Sequence, residues 1–178
     1  GYKASGTKDL LQRQTRFETI VLDKQTYHGD KIGSTAIRTA IYEGSVDKIP
    51  TILGEYYTIE GTVIHGSKKG RTIGYPTANI DTHEYLVPKK GVYATRTHVN
   101  GHWRDSVSSI GYNPTLNLRD TLSVESYIFD FEEEVYGTNI TTLFIKRIRG
   151  EVAFDSKDAL IRQIDQDVLD AKRILEHY

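Results

Sequence analysis

Residues 66–81 read GSKKGRTIGYPTANID, and they set two kinds of chemistry side by side. Gly66, Gly70 and Gly74 punctuate a run that carries Lys68, Lys69 and Arg71. Glycines let backbone N–H groups turn toward an anion, and the three cations would offset the charge of a triphosphate. Pro76 then stiffens the chain just before Thr77 and Asn79. On an extended segment these alternate residues point to the same side. A hydroxyl and an amide carbonyl are oxygen donors of the kind magnesium takes alongside waters and substrate phosphates. A third candidate is Glu125, within LSVESYIFDF at residues 122–131. Its strand face also carries Tyr127, Phe129 and Phe131. Turned inward, that face would desolvate the carboxylate, raise its pKa and make it a better proton acceptor.

Each feature also has a plainer reading. The loop serves equally as a solvated hairpin connection. Thr77 and Asn79 could bond their own turn. Glu125 could face outward or pair with a neighbouring arginine. The loop is no P-loop: three residues separate Gly66 from Gly70, Arg71-Thr72 follows, and Pro76 opposes a helix there. It is not a Gly-x-Gly-x-x-Gly turn either. The six histidines, at 28, 65, 83, 98, 102 and 177, include no pair at helical i, i+4 spacing, since His98 and His102 straddle a turn. No serine stands in a nucleophile-elbow context.

The elements that must position these groups read as mainly β. Tyr57, Ile59 and Val63 share one face of a strand whose other face is Thr58, Glu60 and Thr62. Residues 91–99 and 102–110 flank Asn100-Gly101, a strong hairpin signal because both turn positions need positive φ. Residues 122–131 and 140–147 supply two further strands. Strands joined by short turns without intervening helices predict an antiparallel barrel or sandwich. One helix follows, capped by Asp155 or Ser156, with an apolar stripe of Leu160, Ile164, Val168, Ala171 and Leu175. Ahead of the barrel, residues 1–55 read as an α/β fragment. It has a helix over 8–16 opened by Thr7, a strand over 17–22, a helix over 34–42 ended by Gly44, and a short helix fading at Leu53-Gly54.

Composition narrows the function classes. The 178 residues are 38% hydrophobic and 26% charged, which is globular. The net charge of −1 lacks the basic excess of a nucleic-acid binder, and Phe129 and Phe131 lie beside Asp130, Glu132, Glu133 and Glu134, which would repel a phosphate backbone. With no cysteine there is no disulfide frame, thiolate metal site or thiol nucleophile. The first residues lack the apolar segment of a secretion signal, and no apolar run reaches the ~20 residues that span a bilayer. A cytoplasmic protein without membrane or nucleic-acid partners is expected. The reading from another class is a non-catalytic antiparallel barrel that binds a ligand or a partner.

The motif order then resembles the riboflavin kinase family. Gly-Arg-Thr-Ile-Gly-Tyr-Pro-Thr-Ala-Asn at 70–79 resembles its signature. Pro88-Lys89-Lys90-Gly91-Val92-Tyr93, Ile110-Gly111-Tyr112-Asn113-Pro114-Thr115, Glu125 through Phe131 with Tyr136-Gly137, and Arg149 through Ser156 resemble its later segments in order. Ile32-Gly33-Ser34-Thr35-Ala36-Ile37-Arg38 resembles a motif near the end of the adenylyltransferase module of bacterial bifunctional riboflavin kinase/FAD synthetases. The resemblance implies a kinase domain over 56–178 folded as a small antiparallel, Greek-key-like β-barrel with a C-terminal helix, preceded at 1–55 by the end of that module, whose N-terminal half would be the missing partner. FAD synthesis is then not expected from this fragment. It implies ATP and riboflavin as substrates, FMN and ADP as products, and Mg2+ held by Thr77 and Asn79. Glu125 is implied as the base. Gly66, Lys69, Gly70, Arg71, Gly74, Pro76 and Thr77, with Ile128, Asp130 and Tyr136, are implied on the nucleotide, and Arg149 and Phe154 on the flavin. Tyr127 departs from a frequent histidine, and Val152 from a lysine of some members.

Overall fold

The computed structural model describes residues 7–14, 16–21, 26–27, 30–67, 70–82, 85–112 and 122–178. The chain divides into two compact units, Gly1–Gly33 and Ser34–Tyr178. In the first, helix α1 (Lys8–Gln12) starts where expected, with the Thr7 hydroxyl accepting the Leu10 N–H at 3.3 Å. It stops before residue 16 because none of its residues is buried, and a short helix without a packed face is marginal. The strand expected over 17–22 does not form over the described residues 17–21. Phe17, Ile20 and Val21 are exposed, and a lone extended segment has no ladder to hold it. The pairing instead joins β1 (Thr26–Tyr27) to β2 (Asp30–Lys31).

The second unit opens with α2 (Ser34–Glu43), a 3-10 turn at Val46–Lys48, and α3 (Ile49–Leu53). Gly44 and Gly54 end these helices at φ of 76° and 85°, a conformation glycine adopts without penalty. Six strands follow: β3 (Tyr57–Ile64), β4 (Ala78–Ile80), β5 (Gly91–Val99), β6 (His102–Tyr112), β7 (Leu122–Ile128) and β8 (Asn139–Arg149). They close into a barrel in the order β3-β4-β7-β6-β5-β8, with antiparallel pairing throughout. Closure removes the open edges that an antiparallel sheet would leave. Asn100 and Gly101 turn β5 into β6 at φ of 49° and 80°, as their identities predict. The expected strand over 122–131 ends at Ile128, because Asp130 takes a φ of 52° and turns the chain.

The barrel is lined by Ile59, Val63, Ile80, Ile110, Val124, Ile128, Ile140 and Phe144. Ala40, Ile41, Val46 and Ile49 belong to the same cluster, so residues 34–53, read from sequence with the preceding fragment, share a core with the barrel. Inside also runs a chain of buried hydroxyls. Thr97 meets Ser106 at 2.9 Å, Ser106 meets Thr95 at 2.8 Å, Thr95 meets Ser108 at 2.8 Å and Ser108 meets Ser126 at 2.7 Å. Each hydroxyl satisfies the next where water cannot reach. Outside, α4 (Lys157–Leu175) covers Val92, Ala94, Val107 and Ile145 with Ala171 and Leu175. Ser156 caps α4 by accepting the Ala159 N–H at 3.1 Å. This cover explains why β5 is buried along both faces rather than alternately.

Tyr57 ties β3 to the segment before β5, its hydroxyl donating to the Leu86 carbonyl at 2.8 Å. Burial pushes its pKa up to about 12. Tyr57→Phe keeps the ring and removes only this bond. It is expected to cost about 1 kcal/mol and lower Tm by a few degrees, read by differential scanning calorimetry.

Candidate active site

The short strand β4 is the hinge of the site. It lies between β3 and β7, with Asn79 opposite Ile64 on one side and opposite Glu125 on the other. Thr77 stands just before β4 and donates its hydroxyl to Glu125 Oε2 at 3.3 Å. Thr77, Asn79 and Glu125, distant in sequence, therefore share one patch. Gly66 lies so close to the Asn79 amide that a Cβ there would collide with it. A side chain at 66 would have to displace that amide.

Three depressions meet at Thr77. A small corner is lined by Gly66, Arg71, Pro76, Thr77, Asn79 and Tyr136. Beside it, Thr77 shares a second with Arg71, Pro76, Ile128, Tyr136 and the acidic residues 132–134. Beyond Glu125 lies a cavity of about 260 Å³ bounded by Ile73, Tyr75, Tyr127, Arg149, Leu160 and Ile164. The cavity walls are largely apolar, which suits a flat ring system. The corner offers a hydroxyl and an amide, with the glycine cradle behind the amide. These neutral oxygen donors fit a magnesium ion that keeps waters and substrate oxygens as its remaining ligands.

Glu125 lies on the outer face of β7, not inside the barrel, where Val124, Ser126 and Ile128 point. It is nonetheless desolvated, because the loop and α4 build the cavity over it. Burial raises its pKa above the ordinary 4.5, opposed in part by the Thr77 hydroxyl. Tyr127 shares this face, but the turn at Asp130 sends Phe131 to the other cluster.

Other groups hold the cavity walls. The Tyr75 hydroxyl donates to Asp165 on α4, and that bond with burial pushes Tyr75 up to about 12. Its ring meets Tyr127 edge-on at 5.2 Å. Arg149 forms a fork to Asp167, Nε to Oδ1 at 2.7 Å and Nη2 to Oδ2 at 2.6 Å, and lies 5.9 Å from the Phe154 ring. Tyr136 stacks on His65 with centroids 3.9 Å apart. Arg71 pairs with Glu134 at 3.2 Å, both more than half exposed, so the pair contributes little to stability.

The structure thus gathers Gly66, Arg71, Pro76, Thr77, Asn79, Glu125, Ile128 and Tyr136 around one cleft, with Arg149 on its far wall and Phe154 behind it. Gly70 lines the larger cavity rather than the corner at Asn79. Gly74 ends the 3-10 turn Arg71–Ile73 at φ 91° and lines none of the three depressions. Asp130 lies apart, in a shallow depression with Arg96, Trp103 and Lys172. Lys68, Lys69 and residues 113–115 lie outside the described residues. Sequence reasoning found α4 but not its part in the site, where Leu160, Ile164 and Asp167 line the cavity. The signal was present: Asp167 falls at i+7 from Leu160 and i+3 from Ile164, a carboxylate on the apolar stripe.

The class so defined is a closed antiparallel β-barrel with a helix packed on its wall and a cleft joining a half-buried carboxylate to a hydroxyl–amide pair. The chain belongs to the Flavokinase family, described as riboflavin kinase, which it matches over residues 53–175. It is 48% identical to the bifunctional riboflavin kinase/FMN adenylyltransferase of Listeria monocytogenes, covering 97% of this chain and 56% of that protein. The Bacillus subtilis protein of the same name is 44% identical, covering 86% and 49%. The chain thus spans about half the length of these curated relatives. Among solved structures it resembles a protein named macrolide-efflux protein from Streptococcus pneumoniae, with TM-score 0.84 and 33% identity, covering 94% of this chain and 55% of that one. It also resembles riboflavin kinase from Trypanosoma brucei, with TM-score 0.50 and 28% identity, covering 67% and 79%. Among the described residues no helix is long and apolar enough to cross a membrane.

Proposed function

We propose that this chain transfers the γ-phosphoryl group of ATP to the 5′-hydroxyl of riboflavin, giving FMN and ADP. The observation that carries the reading is the meeting of three depressions at Thr77, beside the carboxylate it bonds. The isoalloxazine ring occupies the 260 Å³ cavity between the loop and α4, which brings the ribityl end toward Glu125. Glu125 Oε takes the proton of the attacking hydroxyl, and its desolvation makes it the stronger acceptor. The triphosphate lies along the corner and its neighbour, beneath Gly66 and Arg71. Arg71 leaves Glu134, a weak exposed partner, for the phosphate. Thr77 and Asn79 would hold Mg2+, which supplies charge compensation to the transferring group. The remaining work is alignment and exclusion of water. Residues 56–178 are assigned to this kinase domain and residues 1–55 to the end of an adenylyltransferase module, whose other half belongs to the longer protein. A cytoplasmic location accords with these substrates.

The test is direct. The chain incubated with riboflavin, ATP and magnesium is expected to yield FMN by chromatography and no FAD; absence of FMN overturns the reading. Thr77→Ala is expected to raise the magnesium concentration for half-maximal rate about tenfold, the scale of losing one contact that holds or orients a metal. An unchanged metal titration removes Thr77 from that role.

A further inference from the structure

Arg149 and Glu125 line the same cavity, yet the guanidinium is engaged elsewhere. Asp167, only 3% exposed on α4, holds it by the fork described above. Gln163 donates to the same carboxylate at 2.9 Å, and Arg149 Nη1 donates to the Gly150 carbonyl at 2.9 Å. Three of the five N–H donors of a guanidinium are thereby committed, and two remain for a ligand. A fork of this kind fixes both the plane and the position of the group.

We propose that Asp167 is a positioning residue of this site: it anchors Arg149 on the α4 wall and leaves two of its donors for a neutral, carbonyl-bearing ring. This deepens the kinase reading and rests on it. The chemistry of the pair suits a flavin. A neutral ring with carbonyl acceptors gains from oriented N–H donors and gains nothing from a net charge.

A selective loss of riboflavin affinity is the signature. Asp167→Asn keeps the size and breaks the charge-assisted fork, so KM for riboflavin should rise about tenfold while KM for ATP stays within twofold. Arg149→Met should raise the riboflavin KM to the same extent. The double variant Arg149→Met/Asp167→Leu removes both charges, and apolar replacement of a buried pair is often tolerated by the fold. It should bind riboflavin no more weakly than Arg149→Met alone, because Asp167 acts through the arginine. If Asp167→Asn fails to fold, Arg149→Met and the double variant still decide the matter. An unchanged riboflavin KM in folded Asp167→Asn, or a further loss in the double variant, would reduce Asp167 to a packing role. A wild-type chain that makes no FMN would instead overturn the kinase reading itself.

Discussion

Glu125→Gln is expected to lower kcat for riboflavin phosphorylation by about 10²- to 10⁴-fold, the usual contribution of a positioned base, while making the protein more stable at neutral pH. Both effects come from one cause. Burial raises the Glu125 pKa in the folded chain above the ordinary 4.5, so ionisation is disfavoured there more than in the unfolded chain. For a group raised in this way, the stabilising contribution is complete below the unfolded pKa and is lost as pH rises through the folded one. Glutamine keeps the shape, can still accept from Thr77, and never ionises. The Tm difference between variant and wild type should therefore be small near pH 4 and should grow as pH rises through the folded pKa of Glu125. Calorimetry at several pH values checks the sign, and FMN formation checks the rate. Near-wild-type turnover in the variant removes Glu125 as the base. An equal Tm offset at all pH values removes desolvation as the cause of its raised pKa.

Gly91→Ala is expected to cost about 3 kcal/mol or more, adding the ~1–3 kcal/mol of a strained backbone angle to the loss of ladder hydrogen bonds at ~1 kcal/mol each. Gly91 begins β5 at φ 148°, outside the range a side chain takes readily. A Cβ there would strike the backbone carbonyl of Arg149, and Arg147 Nε would lie 3.0 Å away. The obstacle is backbone, so no rotamer change relieves it, and the β5–β8 seam must part. That seam sets the position of Arg149, so the damage reaches the cavity. Tm should fall by roughly 6–12 °C for a domain of this size, and riboflavin affinity should fall with it. Substitution at Gly101, which has open space around it, meets no such contact and should leave riboflavin binding intact despite its own strained φ of 80°. If Gly91→Ala bound riboflavin normally, the seam would not be what positions Arg149.

Much of this molecule was legible in the chain because its signals are local. Asn100-Gly101 needs no distant partner to turn, Ser156 caps the helix that follows it, and period-two alternation over 57–63 marks a strand wherever it lies. The riboflavin kinase resemblance likewise rested on short motifs in order, and the family match over 53–175 agrees with it. Local signals also misled. The apolar residues at 17–21 read as a strand, but a strand exists only through a partner. What residues 34–53 pack against was not legible locally either: Ala40, Ile41, Val46 and Ile49 share the barrel's core.

The residue types for a proton acceptor and for neutral oxygen ligands were set by sequence alone, and alternation put Thr77 and Asn79 on one side. That Glu125 lies across from Asn79 was decided by closure of the barrel, which pairs β4 with β7 over a separation of more than forty residues. That Glu125 is desolvated was decided by α4, since the carboxylate occupies the outer wall and is buried only by what packs upon it. Proximity between distant segments and the dielectric around a charge are properties of the packed chain, and no stretch of residues carries them by itself.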